Sequence, residues 1–274
     1  MGDLAEAAPT GAAPGPSGPA RSAKSGRYSV EARAARCEAA RAGAAPRGVG
    51  AGSRRLAALV FDFDGLVLDT ETCTYETTAA IFAEHGETLD GDWWHTILGT
   101  ADHPHWTEVL AERLGRPVDR EALVAQREAR RLKLLRELPP CAGVVDLLDE
   151  AEGCGVPTAV ASSSRLDWVG GHLHRLGLRR YFDAVVTRED VGDDAARTKP
   201  APDLFLAAAE RLGAEPARCV ALEDSPNGVA AAHVAGMVVV AVPGPMTAGL
   251  DFSLADLVVP SLLEVDVEGL AAIV

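Results

Sequence analysis

No apolar run in this 274-residue chain approaches the ~18 residues of a membrane-spanning helix. Cysteine is scarce and scattered. The five (Cys37, Cys73, Cys141, Cys154, Cys219) are odd in number and form no C-x-x-C pair. They read as reduced thiols in a cytoplasm, with no zinc site and no disulfide framework. Aromatic residues are only 5 % of the chain, and 26 Lys and Arg face 40 Asp and Glu, for a formal charge of −14. This shortage of cations argues against a nucleic-acid surface and against anionic membranes. An anionic substrate would have to be drawn by a metal and a few placed cations, because the field of the whole protein does not help. Arg54-Arg55 before the apolar residues 56–59 resembles a twin-arginine export signal, but Asp62 ends that stretch within a few residues, so the reading is rejected.

Residues 1–54 also lack apolar patterning. They are rich in Ala, Gly, Pro, Ser and Arg, with Pro9, Pro14, Pro16 and Pro19 close together, which no packed core needs. We expect a disordered tail there and assign it no function. Up to Arg55 it holds nine Lys and Arg and four Asp and Glu, so the remainder carries −19 by subtraction from −14.

What is present is concentrated at residues 56–71. An apolar run of strand character ends in Asp62-Phe63-Asp64-Gly65, with Asp69-Thr70-Glu71 following. Gly65 suggests a turn that leaves both acids at the carboxyl end of a buried strand, the rim where open α/β sheets hold ligands. Buried acids need a partner or a metal, and a divalent cation relieves the repulsion between two neighbours. D-x-D alone is nevertheless a weak signal, shared by surface turns and many metal loops.

Beyond residue 72 the pattern turns helical, with runs at 78–85, 106–114 and 121–137 and no strand-like run between them, until Pro139-Pro140. Strands and helices then alternate. Strands are expected at 157–162, 184–187, 219–223, 237–242 and 257–259, and helices at 144–152, 167–176, 203–212 and 228–235. The strand runs do not alternate in polarity, which indicates a mostly parallel sheet covered by helices on both faces. Three polar sites fall at or after the ends of these strands: Ser162 in Ser162-Ser163-Ser164, Lys199 in Thr198-Lys199-Pro200, and Glu223-Asp224 before Ser225-Pro226-Asn227-Gly228. Each has a bland explanation taken alone: the serines and Asp224 as helix caps, Lys199 as a solvated loop lysine. Together, acids, hydroxyl, lysine and acids in that order can converge on one rim.

The string Asp62-x-Asp64-Gly65-x-x-x-Asp69-Thr70-Glu71, with Ser162, Lys199 and Glu223-Asp224 in order behind it, resembles the four motifs of the haloacid dehalogenase superfamily, in its β-phosphoglucomutase-like branch. The resemblance spans residues 59–243. It implies an α/β fold: a Rossmann-like core with a mostly parallel central sheet, from residues 55–71 and 139–274, and a small all-helical cap inserted at 72–138. It further implies that Asp62 is the nucleophile that forms an aspartyl phosphate and Asp64 the general acid/base. Mg²⁺ would be held by Asp62, Glu223, Asp224 and, through its backbone carbonyl, Asp64. Ser162 and Lys199 would bind the phosphoryl group. Such a set is physically reasonable, because a carboxylate attacking a phosphate meets a repulsion of roughly 4 kcal/mol per charge pair at 4 Å and an effective dielectric of 20. Oxygen ligands favour magnesium over zinc.

In related enzymes a turn like Leu98-Gly99-Thr100 lies above the catalytic aspartates, so Gly99, Thr100 and Arg127 are candidate substrate contacts. Trp93, Trp94, His103, His105, Arg130 and Arg131 are weaker ones, expected mainly as helix packing or a solvated face. Glu71 is expected to orient its loop and not to act in catalysis. The expected function is Mg²⁺-dependent hydrolysis of a small phosphorylated metabolite (a sugar, polyol or nucleoside phosphate) by a monomer or weak homodimer. One alternative is a phosphosugar mutase, although Thr72-Cys73-Thr74-Tyr75 lacks the histidine those enzymes place after the first motif. The other is a catalytically silent binding protein of the same fold.

Overall fold

The computed structural model describes residues 56–97 and 104–274. Six strands, β1 (Ala58–Phe61), β2 (Thr158–Ala161), β3 (Ala184–Val186), β4 (Cys219–Glu223), β5 (Val238–Ala241) and β6 (Leu257–Val258), form one sheet in the order β3-β2-β1-β4-β5-β6. Every pairing is parallel. The α/β fold expected from the unalternating apolar runs is thus observed.

The two faces of the sheet differ in side-chain size. Leu59, Phe61, Val160, Leu222 and Val240 pack against α5 (Val144–Cys154), α6 (Leu166–Arg175) and α9 (Val267–Ala272). Ala58, Ala159, Ala161, Ala221 and Ala241 pack on the other face, against α7 (Asp203–Leu212) and α8 (Pro226–Val234). Alanines 208, 209, 231 and 232 of those two helices meet this alanine-rich face, so a layer of small side chains fills the space that larger ones fill opposite. The chain winds outward from β1 through β2 to β3, then returns to the far side of β1 with β4. That reversal opens a crevice at the carboxyl ends of β1 and β4.

Between β1 and α5 lie α1 (Thr70–Glu84), α2 (Gly91–Ile97), α3 (Trp106–Leu114) and α4 (Arg120–Glu137), with no strand among the described residues of this segment. They bury a cluster of their own, including Ile81, Phe82, Trp94, Trp106, Leu110 and Leu123. Helix α1 starts eight residues before the run at 78–85 suggests. Asp69 caps it by accepting from the Thr72 amide (3.0 Å). Three threonines that read poorly as helix formers bond back to carbonyls one turn earlier: Thr74 to Thr70, Thr77 to Cys73 and Thr78 to Thr74, at 2.7–2.8 Å. Two short helices, α2 and α9, had no sequence signal of their own.

Among the described residues no helix is long and apolar enough to cross a membrane. Cys73, Cys141 and Cys219 are free thiols.

Candidate active site

The first two acids are placed by backbone pairing. The Asp62 amide donates to the Leu222 carbonyl at 2.9 Å, so Asp62 still runs beside β4. The chain then folds back on itself, with the Gly65 amide bonded to the Leu68 carbonyl (2.8 Å) and the Val67 and Leu68 amides to the Phe63 carbonyl (3.0 and 3.1 Å). Buried Phe63, Leu66, Val67 and Leu68 anchor this loop in the core. Gly65 has φ +97°, and a Cβ there would overlap the Asp224 carboxylate. Only glycine allows both the turn and that approach.

At the end of β4, the fully buried Glu223 carboxylate organises its surroundings. Its Oε1 accepts from Lys199 Nζ at 2.6 Å. Its Oε2 accepts from the Asp224 and Ser225 amides (3.0 and 3.2 Å) and from the Ser225 hydroxyl (3.0 Å). A Cβ at position 228 would strike this carboxylate, which accounts for glycine in the first turn of α8. The Lys199 ammonium also donates to Asp62 Oδ1, and its own loop is tied down by the Lys199 amide bonding to the Ser163 hydroxyl at 3.3 Å.

Ligand oxygens of Asp62, Glu223 and Asp224 lie within 4.8 Å of one another, the one such group among the described residues. Burial pushes the Asp62 carboxyl up to about 8, with Glu223 and Asp64 adding and Lys199 opposing. Burial, then Asp62 and Glu223, raise Asp224 well above the carboxylate range. Burial disfavours the Lys199 ammonium, but Asp62 and Glu223 more than offset this and raise its pKa overall. Three carboxylates beside one ammonium leave two uncompensated negative charges when all are ionised. The buried Asp62 Oδ2 has no hydrogen-bond partner. An all-oxygen cluster with a double charge deficit and an orphaned carboxylate oxygen fits a divalent cation.

The Asp64 carboxylate stands outside that cluster. Its Oδ2 accepts from the Ser164 hydroxyl at 2.6 Å and lies 3.5 Å from the Ser162 hydroxyl, and its Oδ1 accepts from the Trp168 indole N–H at 2.8 Å. Any metal role for Asp64 therefore rests on its backbone carbonyl alone. Sequence reasoning missed Ser164 and Trp168, which meet Asp64 across separations of 100 and 104 residues. The capping role weighed for these serines is not theirs: Glu189 accepts from the Leu166 amide at the start of α6 (3.2 and 3.3 Å).

A cavity of about 620 Å³ opens on this cluster, within the range of small-ligand sites. Asp62, Asp64, Ser162, Lys199 and Asp224 line it, together with Glu71, His95 of α2 and the loop residues Thr247, Leu250 and Asp251. His95 and this last loop carried no motif and were not foreseen. Arg127, expected to contact substrate, does not line the cavity, because its guanidinium lies over the Trp106 ring (5.3 Å). Gly99, Thr100 and His103 lie outside the described residues. Trp94 packs on Tyr75 and Arg130 pairs with Glu84, as expected of packing and surface residues.

Burial raises the Glu71 carboxyl from 4.5 to about 7; Asp64 and Asp69 add to this, and Arg131 opposes it. Folding then takes up a proton between those values, so this residue's contribution makes stability fall as pH rises through the window. Glu71→Gln is expected to flatten the unfolding free energy between pH 4.5 and 7, measured by denaturant titration in chelator. A slope as steep as that of wild type would contradict it.

The model of haloacid dehalogenase-like hydrolases matches residues 56–236. YhcW of Bacillus subtilis, a phosphatase by name, is 41% identical over 209 residues, covering 76% of this chain and 93% of that protein. The fructose-1-phosphate phosphatase YqaB of Escherichia coli is 36% identical, over 67% and 94% of the two chains. A solved hydrolase of the same family from Deinococcus radiodurans, with bound phosphate and sodium, superposes with a TM-score of 0.66 at 26% identity, covering 81% and 98%.

Proposed function

The chain belongs to the haloacid dehalogenase-like hydrolases, and from that premise we propose that this phosphatase cleaves small sugar, polyol or nucleoside phosphates through a phosphorylated Asp62, with Mg²⁺ as its cofactor. The observation that carries the proposal is the buried cluster of Asp62, Lys199, Glu223 and Asp224, with Asp64 facing the same cavity.

A carboxylate oxygen of Asp62 attacks phosphorus, and the ester P–O bond breaks with its electron pair on the leaving alcohol oxygen, which takes a proton from Asp64. The Asp64 carboxylate then takes a proton from water as the water oxygen attacks phosphorus, releasing inorganic phosphate and free Asp62. Lys199 offsets charge on Asp62 and on the transferring group, and Ser162 donates to its oxygens. Asp62, Asp224 and the Asp64 carbonyl would hold the magnesium, with Glu223 beside them; the ion supplies charge neutralisation for two anions brought together. Glu223 spends both carboxylate oxygens on Lys199 and on the start of α8, so it also sets where Lys199 points.

Phosphate release from a panel of phosphorylated metabolites is the test. Turnover is expected with magnesium and is expected to stop with chelator. Isomerisation of a hexose 1-phosphate without phosphate release would replace hydrolysis by mutase chemistry. No turnover of any kind would point to a binding protein.

A further inference from the structure

Nothing in the four motifs explains how the Asp64 side chain is aimed. The group is half-buried, and it must present one oxygen first to a leaving group and then to water. Its two short bonds are from the Ser164 hydroxyl to Oδ2 and from the Trp168 indole N–H to Oδ1, with the Ser162 hydroxyl at 3.5 Å from Oδ2. The indole itself has two neighbours. The Arg131 guanidinium of α4 lies over its ring at 4.6 Å, and the His172 ring meets it edge-on at 4.5 Å from one turn further along α6. Arg131 is oriented in turn by Glu128, through bonds of 3.0 and 3.1 Å. An unbroken series of contacts thus runs from the helical segment inserted after β1 to the Asp64 carboxylate.

The geometry points to Trp168 as a positioning residue for Asp64, with Arg131 coupling the placement of α4 to that of the acid/base carboxylate. The inference rests on the phosphatase reading above and adds regulation of the same site. An indole N–H is donor only, so it fixes which carboxylate oxygen faces the helix and which part of the group is left toward the cavity. A cation over an indole ring is a specific contact that is lost when the two elements separate. Movement of α4 relative to α6 would therefore loosen Asp64.

The test separates positioning from plain packing. Trp168→Phe keeps a ring for Arg131 and removes the N–H. For an alkyl phosphate, whose leaving group needs a proton, kcat/KM is expected to fall by about tenfold or more. For p-nitrophenyl phosphate, whose leaving group departs unprotonated, kcat/KM is expected to stay within about twofold, since the step it reports does not need the acid. Arg131→Met is expected to lower the alkyl-to-aryl ratio about threefold in wild type and to add nothing in Trp168→Phe. An equal fall for both esters, no fall, or a gain would overturn the proposal. A second readout does not need turnover. In Asp64→Asn, the Trp168 indole N–H resonance is expected to shift more than those of Trp93, Trp94 and Trp106, and an unmoved resonance would also overturn it. A wild type that hydrolyses neither ester would remove the phosphatase reading, while the indole resonance still decides the contact.

Discussion

Asp62→Asn is expected to cut phosphate release by about four to six orders of magnitude, the range seen when a catalytic nucleophile is removed. The amide is a poor nucleophile and cannot form the acyl phosphate. Its effect on the fold should be small. Burial already pushes the Asp62 carboxyl up to about 8, so a neutral group of the same shape relieves repulsion with Glu223 and Asp64. It also gives up the ion pair with Lys199. Thermal unfolding without metal should therefore stay close to that of wild type while activity disappears. A variant that kept a tenth of wild-type turnover would remove Asp62 from the chemistry. One that unfolded many degrees earlier would show that its charge is structural.

Lys199→Met is expected to be the most damaging substitution for stability. The ammonium is almost wholly buried and is the cation that bonds both Asp62 and Glu223. Removing one partner of a buried ionic group leaves uncompensated charge and costs about 3–5 kcal/mol. At roughly 2–4 °C per kcal/mol for a domain of this size, the midpoint should fall by about 6–20 °C. Magnesium should recover part of that loss, because a divalent ion supplies positive charge to the same carboxylates. Catalysis should remain impaired with metal restored, since Lys199 also offsets charge on the transferring phosphoryl group. Calorimetry with and without magnesium checks this. An unchanged midpoint in chelator would mean that the carboxylates are protonated in the folded protein and need no partner.

Much of this architecture was legible because it depends on short-range pattern. The run ending at Asp62 and the runs ending at Ser162 and Glu223 have no alternation, which is the mark of strands covered on both faces, and β1, β2 and β4 lie there. Helix α1 was read late because Thr74, Thr77 and Thr78 lower its propensity, and their bonds to carbonyls one turn back exist only once the helix has formed. In the helical segment, Arg127 looked available for substrate, but the direction a residue faces on a helix is set by which neighbour it packs on, here Trp106.

By itself the sequence determined the set of charged groups and the placement of most of them at strand ends: Asp62, Asp64, Ser162, Glu223 and Asp224 each follow or close an apolar run, a parallel sheet sends all such ends to one rim, and Lys199 lies in the loop that follows β3. Only the tertiary structure decided how those groups divide the work. It turned Glu223 inward to hold Lys199 and the start of α8, left Asp62 Oδ2 without a protein partner, and set Ser164 and Trp168 on Asp64. The reason is physical. A residue's position along a strand follows from local pattern, but the direction of a carboxylate follows from whichever donors the fold brings within hydrogen-bonding distance, and for Asp64 those come from about a hundred residues away.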